Sequence, residues 1–112
     1  MRVALPLADG LLARHFGHCQ EFAIFDVNRE DGSIEESDRL QAPPHRPGLL
    51  PGWLRDQGAE AIIAGGMGRR AQDLFARAGI EVVIGAPHEE PERIVERYAT
   101  GRLETGENIC DH

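Results

Sequence analysis

The sequence predicts a single α/β domain in which helices cover the faces of a mixed, five-stranded sheet. Three strand-like segments come first, with only turns and loops between them. Apolar segments then alternate with helical patterns, and a glycine follows each helical pattern. Strands joined by turns favour an antiparallel meander, whereas strand-helix-strand units favour right-handed parallel crossovers. The expected element order is therefore β-β-β-α-β-α-β-α.

The N-terminal part of the chain supplies the three strands of the meander. The first is an apolar run over residues 2–7, which Pro6 and the turn pair Asp9-Gly10 are expected to end. Residues 21–27 carry apolar side chains on both faces, which predicts a central, covered strand. A tight turn then leads back into residues 34–40, whose polar side chains suit an exposed edge.

Apolar side chains at helical spacing mark three helices in the remainder of the chain. Gly58, Gly79 and Gly101 are the expected stop signals, and Pro91 is a favourable first residue for the last helix. The helices are expected over about 49–57, 71–78 and 91–100, and the buried strands between them over 59–64 and 80–84.

The length of the chain limits the number of domains it can form. At 112 residues and 12.3 kDa it is about one domain long, and it contains no repeat and no linker. Residues 1–103 are expected to form that domain, and residues 104–112 a flexible tail. Five strands in the predicted order are what a ribonuclease H-like α/β fold shows.

Charge and hydropathy exclude several classes of partner. The formal net charge is −7, and all 12 basic residues are arginines. An acidic chain repels a phosphate backbone, so nucleic acid is not an expected partner. The apolar runs are too short to span a bilayer, and the N-terminus lacks the pattern of a secretory signal. We therefore expect a cytoplasmic protein that does not bind membranes and that is a monomer or a homodimer.

A cluster of metal-ligand side chains lies in the loop predicted over residues 8–20. His15, His18 and Cys19 supply two imidazoles and a thiol, which are good ligands for zinc or for the iron of a cluster. The spacing matches none of the strong zinc-finger patterns. The alternative is structural, with Cys19 as a small buried hydrophobic residue and the histidines as hydrogen-bonding groups of the loop.

A second pair of candidate metal ligands lies at the end of the sequence. Cys110 and His112 are two positions apart, so both can bind from one side of an extended segment. Together with Cys19 and with His15 or His18 they make a mixed nitrogen and sulfur set of up to four ligands. Such a set can hold zinc or the iron of a cluster.

A glycine-rich turn between a predicted strand and a predicted helix is the second candidate site. Its backbone N–H groups lie at the positive end of a helix dipole. The guanidinium group of either arginine can also bind an anion through two parallel hydrogen bonds. It matches neither the P-loop nor the dinucleotide-binding pattern. The alternative is a tight strand-to-helix connection. The candidate residues are Gly65, Gly66, Met67, Gly68, Arg69 and Arg70.

Four segments together resemble the dinitrogenase iron-molybdenum cofactor biosynthesis family. They are His15-Phe16-Gly17, residues 47–54 (PGLLPGWL), residues 58–71 (GAEAIIAGGMGRRA) and residues 79–82 (GIEV). The likeness covers about residues 1–103. It implies a ribonuclease H-like fold and a small carrier of iron-sulfur or iron-molybdenum-type cluster precursors, with a donor or acceptor protein in cluster assembly as its partner.

Two classes of function follow. The first is a non-enzymatic carrier that holds a metal or an anionic iron-sulfur species, with zinc as the alternative cargo. The second is an enzyme, either a nuclease that uses Asp9 and Asp26 to bind a divalent metal or an enzyme with Cys19 as nucleophile and His15 or His18 as its base. A metal-free interaction module with two ordinary thiols is the remaining alternative. We expect the carrier.

Overall fold

The computed structural model describes residues 1–44 and 48–106, which form one mixed sheet and three helices. No helix in this part of the chain is long and apolar enough to cross a membrane. The strands are β1 (Arg2–Ala8), β2 (Leu11–Leu12), β3 (Glu21–Asn28), β4 (Ser33–Gln41), β5 (Ala61–Ile63) and β6 (Glu81–Val83). The helices are α1 (Leu49–Asp56), α2 (Arg69–Arg77) and α3 (Pro91–Ala99).

The sheet combines the two predicted kinds of connection. Its strand order is β4-β3-β1-β5-β6. The pairs β1-β3 and β3-β4 are antiparallel, and the pairs β1-β5 and β5-β6 are parallel. The prediction of a mixed α/β sheet with helices is therefore confirmed, and the meander and the parallel crossovers meet at β1.

The predicted number of five strands is wrong, because the sheet within residues 1–44 and 48–106 has six. The additional strand is β2, which pairs with the end of β1 through Leu7-Leu12 and Ala8-Leu11. Asp9 and Gly10 both have positive φ angles, 54° and 82°, and a two-residue loop of this kind matches the twist of a hairpin. Asp9-Gly10 thus joins two strands instead of ending one. A strand of two residues is too short to show alternation in the sequence.

The strand β1 also continues past Pro6, which the sequence-based prediction treated as its end. Pro6 lies opposite Phe22 in the antiparallel ladder with β3. On its other side the parallel pairing with β5 involves only Val3 and Ala4. A proline is tolerated here because the ladder with β5 requires no N–H group at this position.

Two apolar cores lie on opposite faces of the sheet. On one face, Val3, Leu5 and Leu7 of β1 pack in a cluster that includes Ile94 and Val95 of α3. On the other face, a second cluster joins the sheet to Leu54 of α1 and Phe75 of α2. Each face is therefore covered by helices, and the loops at the strand ends remain available for a site.

Candidate functional site

The two predicted sites lie side by side. The loop after β2 and the turn after β5 form an isolated parallel bridge between His15 and Gly66. The N–H of Phe16 donates to the carbonyl of Gly66 at 2.8 Å, and the N–H of Gly66 donates to the carbonyl of Arg14 at 2.8 Å. We call residues 13–19 and 65–70 together the loop-turn site.

Close backbone packing at Gly65 holds the two segments together. A Cβ atom on Gly65 would lie 2.8 Å from the carbonyl oxygen of Ala13 and 3.1 Å from that of Arg14. Both neighbours are main-chain atoms, so no flexible side chain could move away. Glycine is required here because any side chain would push the histidine loop off the sheet.

The two histidines of the loop are neighbours in space. The single turn of 3-10 helix at Phe16–His18 brings the ring centroids of His15 and His18 to 5.4 Å. A zinc-imidazole bond places a ring centroid about 3.2 Å from the metal, so two rings at a tetrahedral angle have centroids about 5.2 Å apart. The observed spacing is therefore compatible with both imidazoles binding one ion.

The described residues do not by themselves form a metal-binding group. Within residues 1–44 and 48–106, no three His, Cys, Asp or Glu side chains converge as a metal-binding group. A tetrahedral site needs four ligands. The predicted ligands Cys110 and His112 lie outside the described residues.

The Cys19 thiol packs against the apolar core that Phe16 and Phe22 share, and it is half-buried. This burial raises the pKa of the Cys19 thiol to about 11. Desolvation disfavours the charged thiolate, which is the form that binds metal. At neutral pH the Cys19 side chain is therefore the neutral thiol.

We expect the raised pKa of Cys19 to appear as a pH dependence of stability. Between pH 9.0 and about 11 the unfolded chain loses the Cys19 proton while the folded chain keeps it. The free energy of unfolding therefore decreases as the pH rises through this window, by roughly 1 kcal/mol for a half-buried group. Urea titrations of the wild type and Cys19→Ala should diverge above pH 9, and parallel pH profiles would contradict the assignment.

The glycine-rich turn divides into a buried part and an exposed part. Gly65, Gly66 and Met67 are buried, and Met67 belongs to the second apolar core. The exposed part consists of Gly68 and the first two residues of α2, Arg69 and Arg70. The surface that can meet a ligand is therefore the N-terminus of α2 with its two arginines.

The loop-turn site has a positive edge although the chain is acidic. Arg14, Arg69 and Arg70 are all exposed, and the first turn of α2 contains no acidic residue. Among residues 1–44 and 48–106, the ion pairs within 4.0 Å involve only Arg2, Arg39, Arg93 and Arg97. Among the described residues, none of the three arginines of the site is therefore in an ion pair within 4.0 Å.

The sequence of a known protein family matches nearly all of this chain. The family is described as dinitrogenase iron-molybdenum cofactor, and the match extends over residues 1–101. The chain belongs to this family. An uncharacterized protein of Methanocaldococcus jannaschii is 29% identical over 109 residues, which cover 93% of this chain and 90% of that protein.

Solved structures share the fold of this chain. The crystal structure of the protein PH0822 is 29% identical, covers 94% of both chains and has a TM-score of 0.84. The apo form of the orange protein from Desulfovibrio gigas covers 96% of this chain and 93% of its own, with a TM-score of 0.67. At 22% identity this second likeness shows the fold alone.

In this member of the dinitrogenase iron-molybdenum cofactor family, two positions of the site were not found by motif. Arg14 adds a third exposed cation to the two segments of the site, and Gly85, which follows β6, donates its N–H to the carbonyl of Gly65 at 2.7 Å. A glycine directly after the apolar run of β6 was a visible signal for a close backbone approach. No sequence pattern marked Arg14 as a residue of the site, because its position depends on the β2 hairpin.

Proposed function

We propose that this protein is a non-enzymatic carrier that binds a metal or an anionic metal-sulfur cluster at the loop-turn site and passes it to an acceptor protein. The cargo is an iron-sulfur or iron-molybdenum-type cluster or its precursor, with zinc as the alternative, on a scaffold that we assign to the ribonuclease H-like folds. The observation that carries the proposal is the pairing of His15 with Gly66. This pairing brings the imidazole groups of the loop close to the N-terminus of α2, which can bind an anion.

The first argument is the donor chemistry of the loop. His15 and His18 offer two nitrogen ligands at a spacing that fits one ion, and His18 is exposed. Imidazole binds zinc and iron, and a partly open ligand set allows a partner to take the cargo. The geometry therefore suits transfer better than permanent structural binding.

The second argument is electrostatic. A metal-sulfur cluster with thiolate or sulfide ligands is an anion. The N–H groups at the start of α2 and the guanidinium groups of Arg14, Arg69 and Arg70 favour negative charge at this edge of the sheet. The remaining surface of a chain with net charge −7 repels such a species, so the cargo is directed to this edge.

The geometry argues against both enzyme alternatives. A nucleophilic cysteine needs a lowered pKa, whereas burial raises the pKa of Cys19 to about 11. Asp26 lies opposite Arg2 at the start of β1, while Asp9 directly follows the end of that strand. Seven residues of extended chain separate these ends by about 23 Å, so the two carboxylates cannot share a divalent metal.

The carrier proposal is tested on untagged protein purified without oxygen. Iron and acid-labile sulfide in near-stoichiometric amounts, with a charge-transfer absorption, are expected for a cluster carrier. Zinc without sulfide would restrict the cargo to a single ion. Protein that contains no metal and that fails to bind Co²⁺, Zn²⁺ or a reconstituted cluster would contradict the proposal.

A further inference from the structure

We infer that two copies of this chain bind one divalent metal ion between them, with His15 and His18 of each copy as its four ligands. The ion then links two loop-turn sites across a two-fold axis. The inference gives the proposed function a partner, a second copy of this chain, and it rests on that function. Its basis is the number of ligands, their exposure and the rigidity of the loop that carries them.

The number of ligands in one copy is half of what a tetrahedral ion requires. The ring centroids of His15 and His18 lie 5.4 Å apart, which fits two bonds to one ion. Within residues 1–44 and 48–106, no third His, Cys, Asp or Glu side chain converges with them as a metal-binding group. A two-fold axis through the ion doubles every ligand, so two imidazoles from each copy give the four ligands of a tetrahedral site.

The neighbouring thiol does not change this number. Cys19 packs against the second apolar core, and its burial raises the pKa of the thiol to about 11. The thiolate is the form that binds a metal, and burial disfavours it. The loop therefore offers nitrogen ligands, which suit Zn²⁺ and Co²⁺.

The tip of the histidine loop is open to a second copy. Gly17 and His18 are exposed, and His15 is half-buried. Gly17 lies between the two histidines, and a Cβ atom on it would meet nothing within 4 Å in the described part of the chain. The loop of a second copy can therefore approach the imidazoles without displacing a side chain at this position.

The loop is held in place before any metal binds. The N–H of Phe16 donates to the carbonyl of Gly66 at 2.8 Å, and the Phe16 ring packs edge to face on Phe75 of α2 with centroids 5.5 Å apart. Phe16 directly follows His15 and is two positions before His18. Because preorganised ligands lose little freedom on binding, this anchoring favours a shared ion.

The charges of the loop-turn site make the association depend on the metal. Arg14, Arg69 and Arg70 are exposed, and none of them is in an ion pair within 4.0 Å among the described residues. Two copies that meet through their loop-turn sites bring these like charges together, which disfavours association without a ligand. We therefore expect a monomeric apo protein and a metal-linked dimer that becomes more stable as added salt screens the repulsion.

A shared ion also gives the carrier a way to release its cargo. Each copy supplies two of the four ligands, so an acceptor protein that offers two ligands of its own can replace one copy. The exchange transfers no electron, because one pair of ligands takes the place of another. The half-site that pairs with a second copy is therefore the same surface that an acceptor would meet.

Titration of the full chain with Zn²⁺ tests this inference, with light scattering as the measure of mass. The mass is expected to double from 12.3 kDa and to reach its maximum at one ion per two chains. Excess Zn²⁺ is expected to return the protein to monomers, because each histidine pair then holds its own ion. Tenfold dilution at constant free Zn²⁺ should lower the dimer fraction, since two chains share each ion.

The ligands are tested by His18→Ala against His88→Ala. Both histidines are exposed, but the Nδ1 atom of His88 lies 2.6 Å from the carbonyl oxygen of Leu12, outside the loop-turn site. We expect His18→Ala to form at least tenfold less dimer than the wild type at half an equivalent of Zn²⁺. His88→Ala and Cys19→Ser are expected to dimerise like the wild type, with circular dichroism confirming that all variants are folded.

The outcomes separate this inference from the proposed function. One ion per chain on a protein that stays monomeric would overturn the shared site and leave the carrier proposal standing. A dimer that forms equally in His18→Ala, or a protein that binds a reconstituted cluster but no divalent ion, would do the same. Protein that binds neither a divalent ion nor a cluster would contradict both. A dimer at one ion per two chains that is lost in His18→Ala and kept in His88→Ala supports the inference.

Discussion

Replacement of His15 and His18 by alanine together is expected to lower the affinity for Co²⁺ or Zn²⁺ by at least a hundredfold. The reason is that the two imidazoles are the pair of ligands that the described fold itself brings together, with ring centroids 5.4 Å apart. Loss of groups that merely orient a ligand already costs about 10–100-fold in metal affinity, so loss of two ligands costs more. Competition titrations with a chromophoric chelator measure the change directly.

The control for this experiment is His88→Ala. The Nδ1 atom of His88 lies 2.6 Å from the carbonyl oxygen of Leu12, so this imidazole already has a backbone partner. Its removal is expected to cost about 1 kcal/mol of stability and to leave the metal affinity unchanged. A double variant of His15 and His18 that binds within twofold of the wild type would contradict the site.

The elements that could be predicted from the sequence are those with a local cause. The first helix was predicted over residues 49–57 and occupies Leu49–Asp56, because its apolar spacing and the following Gly58 are both local signals. The last helix begins at Pro91 as predicted, because the fixed φ angle of proline suits a first helical position. The strands β5 and β6 were found by their apolar, β-branched runs.

The features that could not be predicted depend on long-range packing. Met67 belongs to a glycine-rich turn in the sequence, but the fold buries it between the sheet and the helices of one face. Gly65 and Ala13 are 52 positions apart, and no local pattern says that their backbones touch. The residues of the candidate site stay a prediction, while the contact that joins its two segments could be found only in the structure.

This contact makes Gly65→Ala a single substitution with a large expected effect on both stability and binding. The new methyl group would lie 2.8 Å from the carbonyl oxygen of Ala13, well inside normal contact distance. Because this neighbour is main chain, the loop over residues 13–19 must move away and lose its two hydrogen bonds to Gly66. Overpacking of this kind costs about 1–3 kcal/mol, and the lost hydrogen bonds add to it.

The measurable result is a lower melting temperature together with weaker metal binding. A loss of about 2 kcal/mol lowers the melting temperature of a domain of this size by roughly 8 °C. Gly17→Ala is the matched control, because Gly17 lies in the same loop and a Cβ atom there meets nothing within 4 Å. If Gly65→Ala melted and bound Co²⁺ like Gly17→Ala, the histidine loop would not depend on its backbone contact with the glycine-rich turn. If only Gly65→Ala lost both properties, one main-chain contact would link the stability of this domain to its ability to hold a metal.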